Sequence, residues 1–117
     1  MRRRYWRKPG WAEVRAVIGE SCIGAVNWSE VAQKTRQKGL NVEATRNLLV
    51  DVGLNIVPFS ASQAEMAAQL WETTRHRGLS LADRACLALA MERKAPVLTA
   101  DRTWTELGID VEIRLLR

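Results

Sequence analysis

The chain has 117 residues, 47% of them hydrophobic, and a formal net charge of +5. That length suits one domain with one core, burying on the order of two-thirds of the surface its unfolded chain exposes. It excludes a membrane span, since no apolar run nears the roughly 18 residues needed. It also excludes export: Pro9-Gly10-Trp11-Ala12-Glu13 after the basic start is no apolar signal segment, so the expected location is the cytoplasm.

Residues 1–9 read as a basic N-terminal arm, disordered or foreign to the fold, and residues 10–117 as the folded domain. Arg2, Arg3, Arg4, Arg7 and Lys8 meet no acid, while the thirteen remaining Lys and Arg equal the thirteen Asp and Glu in number. The excess charge therefore lies in the arm. It would attract phosphates, or it is a solvated terminus and nothing more.

Residues 11–18 place Trp11, Val14 and Ile18 at helical spacing, and Gly19 ends that helix. Residues 22–26 read as a buried strand. A helix follows over 28–38, closed by Gly39. Asn41 caps the next helix, whose apolar positions are Ala44, Leu48, Leu49 and Val52, and Gly53 closes it. Residues 54–59 form a second strand. Ser60 and Gln63 make a capping box for a long helix with an apolar stripe of Ala64, Ala67, Ala68 and Trp71. Gly78 stops it, and Ser80 starts a helix to about Arg93. Residues 96–100 are a strand. Val111, Ile113 and Leu115 alternate with Glu112 and Arg114, as in a half-exposed edge strand. Cys22 and Cys86 read as reduced core residues in apolar surroundings, neither a disulfide nor a metal pair.

Strands separated by helices predict an α/β fold with a parallel sheet, whose ligands bind beyond the carboxyl ends of the strands. Glu30 follows the strand over 22–26 and Asp101 the strand over 96–100, and Asp83 opens the helix that leads into the latter. Each acid also has a purely structural reading. Ser80 with Asp83, and Asn27 with Glu30, fit the capping-box pattern; Asp101 fits an N-cap. Gathered in one crevice, three carboxylates would repel one another and call for a cation. An oxygen-only set suits Mg²⁺ or Mn²⁺, and such an ion activates water for phosphodiester hydrolysis. No rival chemistry competes: His76 reads as a surface residue, and the chain has no Gly-rich phosphate loop, serine triad motif or Cys/His cluster.

Leu79-Ser80-Leu81-Ala82-Asp83-Arg84-Ala85-Cys86-Leu87-Ala88-Leu89-Ala90, followed by Pro96-Val97-Leu98-Thr99-Ala100-Asp101-Arg102-Thr103-Trp104, resembles the C-terminal half of a PIN domain of the VapC toxin type. Ala25-Val26-Asn27-Trp28-Ser29-Glu30-Val31 resembles the second acidic motif of that family. The resemblance runs from about Gly10 to the C-terminus. It implies a PIN-like three-layer fold with a mostly parallel sheet and a small Mg²⁺- or Mn²⁺-dependent ribonuclease. The partners it implies are RNA, a second copy in a homodimer, and a cognate antitoxin whose tail enters the acidic groove. Glu30, Asp83 and Asp101 become metal-site or water-positioning acids, and Thr99 a hydroxyl that supports them. The family also has a fourth, earlier acid at the end of an N-terminal apolar strand. Neither strand nor aspartate is legible before Pro9, and Glu13 and Glu20 are not placed to substitute. The expected fold is therefore a PIN-like one with its first central strand missing or replaced, through a start upstream of Met1, a frameshift or decay. Three outcomes follow: an endoribonuclease toxin, a non-catalytic remnant that still binds a partner, or a small α/β protein whose acids only cap helices.

Overall fold

The computed structural model describes residues 21–115. The basic arm, the helix expected over 11–18, the region of the first central strand, and Glu13 and Glu20 lie outside these residues.

Within them the chain is α/β. Strand β1 (Cys22–Gly24) leads directly into helix α1 (Ala25–Gln37), and α2 (Val42–Asp51) returns the chain to β2 (Asn55–Val57). The long helix α3 (Ala61–Thr74) continues through a 3₁₀ turn (Arg75–Arg77) to α4 (Leu81–Arg93). Strand β3 (Val97–Thr99), a second 3₁₀ turn (Arg102–Glu106) and β4 (Ile113–Leu115) follow. The strands pair in parallel as two separate two-stranded sheets among the described residues. In one, Ile23 stands opposite Ile56; in the other, Leu98 stands opposite Arg114.

The helix ends follow local chemistry. Gly39 (φ 74°) and Gly53 (φ 110°) adopt the left-handed conformation that a side chain disfavours. Each closes its helix with paired backbone bonds. Gly39 N–H donates to Arg36 and Leu40 N–H to Thr35; Gly53 N–H donates to Val50 and Leu54 N–H to Leu49. That arrangement satisfies carbonyls a helix end would otherwise leave bare. Asn41 Oδ1 caps α2 by accepting from Ala44 N–H at 2.8 Å. Helix α4 instead ends on Lys94 at φ 52°, where a Cβ crowds the backbone. Replacing Lys94 with glycine should stabilise the fold by about 0.5–1 kcal/mol, read as a rise in thermal unfolding midpoint.

The core lies where α3 crosses α4. Ala67, Leu70, Leu87, Ala88, Ala90, Val97 and Trp104 pack as one buried cluster, with Ile109, Val111 and Ile113 against it. Small residues on both helices allow that close approach.

Four expectations are corrected. First, β1 stops at Gly24, and Ala25 and Val26 belong to α1. Gly24 is extended and serves as the N-cap, and a short apolar run cannot by itself reveal where strand gives way to helix. Second, the buried stripe of α3 is Gln63, Ala67, Leu70 and Thr74. It is rotated from the one read in the sequence, and Trp71 is exposed. Third, only half of the Ser60–Gln63 box forms. Ser60 Oγ accepts from Gln63 N–H, but the Gln63 amide reaches across to Glu92 on α4 at 3.1 Å. Fourth, Leu48 and Val52 on the apolar face of α2 are exposed, because among the described elements α2 packs chiefly on α1. Both cysteines are free and half-buried, at the margin of the core and not inside it.

Candidate active site

The three candidate acids lie on three chain segments: Glu30 on α1, Asp83 in the first turn of α4, and Asp101 just after β3. Helix α4 and β3 are joined by a tight turn, closed by Ala95 N–H donating to Ala90, and the two elements are in contact. Strand β1 also packs on α4, and its carboxyl end opens into α1.

Asp83 sits in the first turn of α4 and completes a reciprocal cap. Its Oδ2 accepts from Ser80 N–H at 2.9 Å, and its own N–H donates to Ser80 Oγ at 3.1 Å. The structural reading of Asp83 is therefore met in full, though one of its oxygens is not required by the cap.

Asp101 follows β3 and caps the second 3₁₀ turn. Its Oδ1 accepts from Thr103 N–H at 3.0 Å and from Thr103 Oγ1 at 2.7 Å. Those two donors hold its carboxyl below the usual aspartate range, so the exposed group stays ionised to lower pH. Thr99 Oγ1 accepts from Asp101 N–H at 3.0 Å. Thr99 thus acts on the backbone of Asp101 and fixes where that residue leaves the strand.

Glu30 departs most from its structural reading. Because α1 starts at Ala25, Glu30 lies in the second turn, and the Asn27–Glu30 capping box does not exist. Glu30 is exposed. Asn27 lies in the first turn, and its side-chain amide donates to the Ala82 carbonyl on α4 at 2.9 Å. Glu30 is one turn further along the same face of α1. The Asn27 link thus brings the segment bearing Glu30 to the segment bearing Asp83. The capping-box pattern reads Asn27 as an N-cap; nothing local in the sequence marks its bond to Ala82, 55 residues away.

On α4, Cys86 lies one turn beyond Asp83. Burial pushes its thiol up to about 11, and the Asp83 carboxylate and then Cys22 add to the shift. The raised value favours the neutral thiol in the folded state. The associated stability is complete below the ordinary thiol value of 9.0 and is lost as pH rises through about 11.

The donor chemistry of the three carboxylates suits a hard divalent ion. Their arrangement does not complete a site: among the described residues, no three His, Cys, Asp or Glu side chains gather closely enough to hold a metal ion.

Parallel strands alternating with helices define an α/β protein, a class in which ligands commonly bind beyond the carboxyl ends of the strands. The PIN domain family model matches residues 7–109, nearly the whole chain, and the protein belongs to the PIN domain family. No curated protein matches it. Membership gives a nuclease-type function in general, RNA as the general substrate class, and dependence on a divalent metal as the general rule of the family. Among the described residues, no helix is long and apolar enough to cross a membrane.

Proposed function

We propose that the protein is a metal-dependent endoribonuclease of the VapC type, the toxin of a toxin–antitoxin pair, acting in the cytoplasm with Mg²⁺ or Mn²⁺. The observation that carries this reading is the joining of α1 to the first turn of α4, which supports it by putting Glu30 and Asp83 on adjoining segments. On this reading Glu30, Asp83 and Asp101 are the catalytic and metal-site acids, and Thr99 supports Asp101. An exposed carboxylate such as Glu30 can orient a water and accept its proton. Asp101, held ionised by Thr103, offers a fixed negative charge.

The division of the described strands into two pairs supports a PIN-like sheet whose central strand is not among residues 21–115. The substrate is RNA, and the partners are a cognate antitoxin and a second copy of the chain. Purified protein should cleave an unstructured RNA only when Mg²⁺ or Mn²⁺ is supplied, and cleavage that continues in EDTA would sink the proposal.

The incomplete grouping of carboxylates among the described residues favours a second reading: a PIN remnant that binds a partner without cutting RNA. The exposed apolar positions of α2 agree with that role. Full ribonuclease activity of the purified chain would dismiss it.

A further inference from the structure

We infer that Asn27 is a positioning residue, whose side-chain amide ties the start of α1 to the first turn of α4 and thereby sets Glu30 against Asp83. The inference rests on the ribonuclease reading for its functional half. Its structural half stands on the hydrogen bond alone.

The bond joins residues 55 apart in sequence, from Asn27 Nδ2 to Ala82 O at 2.9 Å. The orientation of the amide is determined by its partner. A carbonyl can only accept, so the nitrogen must face Ala82 and the oxygen must face away. The Ala82 carbonyl lies inside α4, where the N–H four residues on already engages it. Asn27 therefore rescues no orphaned acceptor. Its contribution is to fix one helix start against the other.

The other half of the amide shows what this arrangement costs. Asn27 Oδ1 is buried and has no hydrogen-bond partner among the described residues. It sits beside Gly24, 3.6 Å from where a Cβ on that residue would lie. A buried acceptor without a donor lowers stability. An apolar residue of the same size would pack there without that penalty. Stability alone thus favours leucine at this position, whereas holding two acid-bearing segments in register favours asparagine. Residues that cost stability and serve positioning concentrate at functional sites.

The test uses the full chain as wild type, Asn27→Leu and Asn27→Ala. Asn27→Leu should melt no lower than wild type. Its kcat on an unstructured RNA oligonucleotide in Mn²⁺ should fall about 10- to 100-fold, because small misplacements of reacting groups have effects of that order, while KM changes little. Amide hydrogen exchange should quicken at Asp83 and Arg84 in both variants and stay unchanged over residues 87–90. In the wild type, the Asn27 side-chain amide protons should show cross-relaxation to the backbone of Ala82. Wild-type kcat with unchanged exchange in the variants would overturn the inference, as would an Asn27→Leu chain that fails to fold. A wild type that cleaves no RNA would remove the ribonuclease reading instead, and the exchange and cross-relaxation results would then decide the tether by themselves.

Discussion

Leu87→Ala should destabilise the protein by about 3 kcal/mol, within the 2–5 kcal/mol typical of a buried leucine truncated to alanine. Leu87 has no exposed surface and is one of the two largest fully buried side chains among the described residues. It lies on α4 within the cluster that joins α3, β3 and the second 3₁₀ turn. Three of the other members of its cluster are alanines, Ala67, Ala88 and Ala90, whose short side chains have little reach to fill the space a missing isobutyl group leaves. The residual cavity therefore stays open, and the loss exceeds the transfer term alone. Against a total stability of about 5–15 kcal/mol, that is a large share. Urea denaturation at neutral pH would measure it as a lower midpoint with an unchanged slope. The control is Leu48→Ala on α2, where 65% exposure limits the change to about 0.5 kcal/mol. Equal losses at both positions would mean that α2, not α3 and α4, holds the principal core.

The contrast between these two leucines shows what the sequence carried and what it withheld. Helix ends were legible because they depend on near neighbours. Asn41, Ser80, Gly39 and Gly53 each act through bonds within a few residues, and each was placed correctly. Faces were less legible, because burial depends on what lies opposite. Helix α2 carries an apolar pattern as good as that of α3, yet its Leu48 is exposed. On α3 the stripe is set by where α4 crosses, so buried Gln63 and Thr74 take places that hydrophobicity assigned to Ala64 and Trp71. The candidate site divides in the same way. The positions of Asp83 and Asp101 followed from local capping patterns, and both caps are present. The true placement of Glu30 depended on the strand ending at Gly24, two residues earlier than apolar character alone suggested. The link from Asn27 to Ala82 spans 55 residues and left no local signature.

Asp83→Asn should separate the two roles that its position combines. The cap needs an acceptor for Ser80 N–H, and the asparagine carbonyl oxygen supplies one in the same place. What is lost is a negative charge in the first turn of α4, a change of about 0.3–1 kcal/mol through the helix dipole. Thermal unfolding should therefore move by only a few degrees, which fits a change of that size in a domain of this length. If Asp83 is a catalytic or metal-site acid, RNA cleavage should fall by about a hundredfold or more, because an amide can neither bear the charge nor hold a proton in the same way. A third readout follows the charge itself. The Asp83 carboxylate is the second cause, after burial, of the raised Cys86 thiol. Removing it should bring that value down from about 11 and quicken alkylation of Cys86 at any fixed pH near 9, because more thiolate is then present. Faster alkylation, near-wild-type stability and lost cleavage together would place the charge of Asp83 in the chemistry. Faster alkylation with cleavage intact would leave Asp83 as a helix cap and move the reaction elsewhere on the edge.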